Sequence, residues 1–120
     1  MKLTITLPEV KSFYIREGIY LSVADLSLIP FESIKEFTDI EGSWYYFNRL
    51  SVPYKVRNKG NATSLMREVC EWADSNNVSI YNEILPSGDL DLSSLITFYG
   101  KYRFKLVAPT IMLREKHNGL

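Results

Sequence analysis

The 120-residue chain balances 14 basic against 14 acidic side chains, and its apolar content is enough for one core without metal or disulfide staples. The basic residues are scattered, with a local excess only at Lys55, Arg57 and Lys59, so the basic stripe of a nucleic-acid binder is missing. The lone cysteine, Cys70, excludes an internal disulfide; the lone histidine, His117, sits in a polar tail without a cysteine or second histidine nearby; and no apolar run approaches the roughly 20 residues of a membrane span. One domain over residues 1–120 is expected, with no metal, no nucleic acid and no membrane partner.

The start Met-Lys-Leu-Thr-Ile-Thr lacks the long apolar core of a signal peptide, which with the unpaired Cys70 predicts a reducing, cytoplasmic setting. Residues 2–7 alternate apolar with polar, the period of a half-buried strand, and Pro8 ends it. Residues 13–24 read as a hairpin turning at Glu17-Gly18. The spacing of Phe31, Ile34 and Phe37 predicts one or two helical turns over 30–37, closed by a loop at Glu41-Gly42-Ser43.

An aromatic-rich strand follows over 44–52. It runs into a basic turn with one glycine and then into the strongest helix of the chain, with Ala62, Leu65, Met66, Val69, Trp72 and Ala73 on one face and Arg67, Glu68, Glu71 and Asp74 on the other. Asn76-Asn77 stops that helix, because Asn tolerates the left-handed conformation found at helix ends. A strand over 78–85, a turn at Pro86-Ser87-Gly88, a helix capped by Asp89 or Asp91 and carrying Leu92, Leu95, Ile96 and Tyr99, and a last strand or hairpin over 104–113 complete the order. The fold class is α/β, a mixed central sheet flanked by helices.

The stretch from Leu50 to Thr63 predicts an anion cradle. Amides at a helix start have no intrahelical partner, the helix dipole puts partial positive charge there, and Gly60 lets a ligand approach where a Cβ would push it away. A P-loop requires a second glycine followed by Lys-Ser/Thr, and a dinucleotide fingerprint requires G-x-G-x-x-G; Gly60 stands alone, so both fail on spacing.

The pattern that fits, Arg57-Asn58-Lys59-Gly60-Asn61-Ala62, resembles the R/Q-x-x-G-x-G/A signature of the GNAT acetyltransferase superfamily. Leu50-Ser51-Val52-Pro53 resembles the family's Leu-x-Val-Pro strand end, and Phe98-Tyr99-Gly100-Lys101-Tyr102-Arg103-Phe104 its late F-Y-x-K-x-x-F block. The resemblance covers residues 44–104, about half of the chain, and is to compact members with an abbreviated N-terminus, some encoded by bacteriophages.

That resemblance implies an acetyl-CoA site. Backbone groups of Leu50, Ser51 and Val52 would pair with the pantetheine arm as an extra strand, while amides of Arg57, Asn58, Lys59, Gly60, Asn61, Ala62 and Thr63 would hold the pyrophosphate. Tyr99 matches the tyrosine assigned as the acid that protonates the departing thiolate. The chain departs from the family at Leu92, where Asn is common and where Asp91 or Ser93 would have to supply the polar contact. It departs again at Arg103, which stands where Gly is usual, and in the N-terminal helices that wall the acceptor side. An open acceptor groove suits a protein lysine or N-terminus.

An attacking lysine must lose a proton, and with a reference pKa of about 10.4 only roughly one in 2,500 is neutral at pH 7. The strand over 44–52 has no carboxylate, so Glu83 is the first candidate for the base and Glu41 the second, each working through water. Cys70 lies between apolar helix positions and reads as a packing residue, not an acyl-carrying nucleophile. The function expected is acetyl transfer from acetyl-CoA to an amine by direct attack. The alternative is a GNAT-fold interaction module with weak or no catalysis.

Overall fold

A computed structural model describes residues 7–86 and 90–117. Apart from Leu7, the predicted strand over 2–7 lies outside these residues, as do Ser87, Gly88 and the candidate cap Asp89. Two long strands open the described chain, β1 (Val10–Glu17) and β2 (Tyr20–Ile29), followed by β3 (Ser43–Ser51), helix α1 (Asn61–Ser75), β4 (Val78–Glu83), helix α2 (Leu92–Gly100), β5 (Lys105–Ala108) and β6 (Ile111–Arg114). They form one six-stranded sheet in the order β1-β2-β3-β4-β6-β5. Only β3 and β4 run parallel, joined across α1; every other neighbouring pair is antiparallel.

The expected β1–β2 hairpin forms and turns through Gly18 and Ile19, one residue beyond the predicted Glu17-Gly18 because Glu17 still pairs with Tyr20; Gly18 takes φ +60°, the position where a tight hairpin turn calls for glycine. Its arms extend beyond the predicted 13–24 because Leu26 and Leu28 continue the pairing of β2 with β3. The one or two turns predicted over 30–37 form as a 3-10 turn at Phe31–Ser33 followed by a turn in which the Phe37 amide donates to the Ile34 carbonyl at 3.0 Å; Pro30 sets an extended entrance and the apolar side chains there cover the sheet. α1 ends where its Asn pair predicts: Asn77 takes φ +53°, and the Asn76 Nδ2 donates to the Trp72 carbonyl at 2.8 Å. Asp91 caps α2, accepting from the Ser94 amide at 2.7 Å.

The two sheet faces are covered unequally. Leu65, Met66, Val69 and Ala73 of α1 pack on Ala24, Leu26, Tyr45, Phe47, Val78 and Ile80 in the main core, and α2 adds Leu92, Leu95, Ile96 and Tyr99. On the other face a smaller cluster joins Trp44, Ile34 and Leu113, with Phe31, Phe37 and Tyr81 against it. Asp74 lies on the exposed face of α1, as expected, and also accepts two bonds from the buried Arg114 of β6, at 2.9 and 3.2 Å, tying the last strand to the helix end. No helix among the described residues is long and apolar enough to cross a membrane.

Candidate active site

β3 and β4 pair only from Ser43/Val78 to Tyr46/Tyr81, although both strands continue. The parting has a local cause. In the β2–β3 ladder Asp25 faces Arg49 and Leu26 faces Phe47, which leaves Asn48 as the extra residue of a bulge, and a bulge bends its strand. Arg49 Nε donates to Asp25 Oδ2 at 2.6 Å across the bulge and fixes it. β3 stays bonded to β2 on its outer side as far as Ser51, and β4 to β6 through Glu83/Ile111, with the Ile84 amide continuing to the Thr110 carbonyl at 2.8 Å. Both walls of the gap are therefore anchored from behind.

The gap opens into a cleft of about 1240 Å³, walled by β3 from Tyr46 onward, the start of α1, the end of β4, and Ser94, Leu95, Phe98 and Tyr99 of α2. Leu50, Ser51 and Val52 lie along it, and their β4-facing backbone edge has no strand partner among the described residues. At its far end is the start of α1. Gly60 caps the helix at φ +80° and Asn58 takes φ +65°, and the first amides of the helix have no side-chain cap. A Cβ built on Gly60 would meet nothing within 4 Å, so the glycine is needed for its backbone conformation and for approach from outside.

Arg57, Asn58, Gly60, Asn61, Ala62 and Thr63 line this end of the cleft, but Lys59 does not. Its Nζ lies 3.4 Å from Glu17 Oε2 at the β1–β2 turn. Glu17 also accepts from Asn61 Nδ2 at 2.9 Å, and that bond, ahead of the Lys59 contacts, holds its carboxyl below the usual range. The Arg57 Nε donates to the Val52 carbonyl at 3.1 Å and the guanidinium stacks 5.8 Å from the Tyr54 ring, which sets the basic turn against the strand end.

Tyr99 is 8 % exposed, boxed by Phe47, Phe98 and Phe104 with ring centroids at 6.0, 5.1 and 5.6 Å, yet it lines the cleft. Burial pushes its hydroxyl above the ordinary tyrosine range while the Asn82 amide pulls the other way. Ser93 is not among the cleft residues; Ser94, one position on, is, because the helical stripe that reaches the cleft is Ser94, Leu95 and Phe98. Asp91 is engaged as the cap, and Leu92 packs on the main core. Arg103 takes the φ +70° that explains why glycine suits its position.

Glu83 is the one carboxylate among the described residues lining the cleft. It shares the sheet face of Tyr81 by strand alternation, and its charge, after burial, helps push the Tyr46 and Tyr81 hydroxyls up. Glu41 is exposed and lies outside the cleft. Cys70 is also outside it, half-buried on α1 with burial raising its thiol. Sequence reasoning missed Asn82, which lines the cleft beside Tyr99; the available signal was one polar position in the alternating row of Val78, Ile80 and Ile84.

No family model matches the sequence, and no curated protein does. Solved structures do share the architecture. The anti-CRISPR protein AcrVA5 superposes with a TM-score of 0.54 at 18 % identity, over 85 % of this chain and 96 % of its own. NAA60 of Arabidopsis thaliana in complex with acetyl-CoA gives 0.57 at 15 % identity, over 78 % of this chain but only 62 % of that chain. NAA60 in complex with a bisubstrate analogue gives 0.55 at 17 %, over 89 % and 74 %. With its mixed sheet parting between two parallel strands, the chain has the fold of the GNAT N-acetyltransferases.

Proposed function

We propose that this chain binds acetyl-CoA in the cleft between β3 and β4 and transfers the acetyl group to an amine by direct attack, as a single catalytic domain in a reducing cytoplasm. The observation that carries this is the continuity of an unpaired strand edge, an uncapped helix start and a tyrosine hydroxyl along one cleft. Leu50, Ser51 and Val52 offer the pantetheine amides a strand to pair with. The amides of Gly60, Asn61, Ala62 and Thr63, with Arg57 and Asn58 beside them, receive the pyrophosphate in the field of the α1 dipole. Ser94 takes the polar contact first expected of Ser93, and Lys59 adds positive charge from the rim, shared with Glu17.

Chemistry then falls where the strands part. A burial-raised Tyr99 stays protonated near neutral pH and serves as the acid for the departing sulfur. The gap leads through the sheet to the face of Tyr46, Asn48 and Glu83, from which an amine approaches with Glu83 taking its proton through water. Among the described residues no α-helix lies over that face, which suits a protein lysine or N-terminus as acceptor. Direct attack agrees with Cys70 lying outside the cleft.

A second possibility, an interaction module with weak catalysis, draws on a single exposed carboxylate being the only one among the described residues that line the cleft. Calorimetry with acetyl-CoA separates the two. Micromolar binding that disappears in Gly60→Glu, where a side chain at φ +80° adds strain, bulk and negative charge, supports the acetyltransferase. Absence of binding to the unaltered protein supports the module.

A further inference from the structure

Asn82 is 3 % exposed, and its Nδ2 is the only buried side-chain nitrogen or oxygen among the described residues without a hydrogen-bond partner. Buried amides of this kind cost stability, and an apolar residue between Ile80 and Ile84 would serve the core better. Its position argues for a use. Asn82 stands one residue beyond the last β3–β4 pair, is held from behind by its register with Met112 of β6, and by alternation with Ile80 and Ile84 faces the helix side of the sheet, where Tyr99 lies. Both side chains line the same cleft.

The aromatic box around Tyr99 has no donor to offer a phenolate. An acid that gives up its proton there leaves a charge with nothing to hold it, and the transfer becomes harder as burial deepens. Resting on the acetyltransferase reading above, we propose that Asn82 is the positioning residue of Tyr99, its free amide N–H holding the charge that develops on the tyrosine oxygen as the proton leaves. In the step, the amine nitrogen bonds to the thioester carbonyl carbon and the carbon–sulfur bond breaks with its electron pair going to sulfur. The Tyr99 proton passes to that sulfur, the Asn82 N–H bonds to the phenolate oxygen until solvent reprotonates it, and the surplus amine proton leaves through water. A neutral amide does this without titrating and without repelling the incoming amine.

The test compares Asn82→Leu and the isosteric Asn82→Asp with the unaltered protein, thermal unfolding confirming that each is folded. Tyr99 ionisation is followed by phenolate absorbance as the difference from Tyr99→Phe, which requires neither acceptor nor cofactor. Turnover is followed against pH with acetyl-CoA and a lysine-containing peptide. Expected in both variants is a Tyr99 titration moved to higher pH, an alkaline limb of kcat moved with it, acetyl-CoA affinity within about twofold, and kcat reduced about tenfold or more, the size of one hydrogen bond to a developing charge. In the Tyr99→Phe background, Asn82→Leu is expected to add less than about twofold, because the two side chains act as a unit. An unmoved Tyr99 titration, or an equal loss of kcat with and without the tyrosine hydroxyl, overturns the assignment while acetyl-CoA binding leaves the acetyltransferase intact. Failure of the unaltered protein to bind acetyl-CoA overturns the acetyltransferase itself.

Discussion

The two ends of the β3–β4 pair are built to opposite ends. From Ser43/Val78 to Tyr46/Tyr81 the strands are bonded and covered on both faces, by α1 on one side and by Trp44 with Ile34 and Leu113 on the other. Trp44 is wholly buried and its indole N–H donates to the Ile40 carbonyl at 2.8 Å, so even its polar atom is satisfied. Beyond Tyr46/Tyr81 the same strands part, a backbone edge goes unpaired, and an asparagine is buried without a partner. The closed end supplies the stability that lets the open end keep a parted edge and an unpartnered amide.

That division is broken most sharply by Tyr99→Phe. Losing one hydroxyl at the open end is expected to lower kcat by about a hundredfold or more while the unfolding midpoint hardly moves, in line with the typical weight of a positioned acid. Steady-state kinetics alongside urea denaturation check it; an unchanged rate removes Tyr99 from the mechanism. Leu65→Ala is the converse at the closed end. Leu65 is completely buried against the sheet, so its truncation is expected to cost about 2–5 kcal/mol in denaturation, with kcat near normal under conditions where the protein stays folded.

Asp74→Asn tests a contact that belongs to neither end. It leaves the buried Arg114 without its carboxylate and is expected to cost about 1–3 kcal/mol, softened because Asp74 is partly open to solvent. The bond from Arg114 holds the Asp74 carboxyl below its ordinary value, so this contribution is present above the unfolded-state pKa of about 3.9 and is lost as pH falls through the lower folded value. Denaturation from pH 6 down to pH 2 is expected to show a steeper decline for the unaltered protein than for Asp74→Asn, the two curves converging at the acid end.

What sequence reasoning reached, and what it did not, follows the range of the interactions. Leu50-Ser51-Val52-Pro53, Gly60 and the Phe98 to Phe104 block were readable because each depends on local backbone geometry: a strand end, a left-handed helix cap, a helix carrying Tyr99 inward. Whether α2 turns Ser93 or Ser94 to the cleft depends on how the helix is rotated against the sheet, which the core packing of Leu92, Leu95 and Ile96 decides. Lys59 read as a cleft residue because Glu17, 42 positions away in sequence, was not visible as its partner. The bulge at Asn48 and the empty donor of Asn82 come from strand pairing across the sheet; Asn48 carries no local signal, and Asn82 only that of a polar residue in the row of Val78, Ile80 and Ile84. Sequence ranks Glu83 ahead of Glu41 as the base, and the sheet puts the first along the cleft and the second outside it.

The most direct measurement of the central claim is an amide chemical-shift titration of the isotope-labelled protein with acetyl-CoA. Shifts concentrated at Ser51, Val52, Asn58, Gly60, Asn61, Ala62 and Thr63, with β1 and β5 quiet, are the predicted result. Saturable shifts centred elsewhere, such as the groove of Arg103, Lys105 and His117, would contradict it, as would no shifts at all.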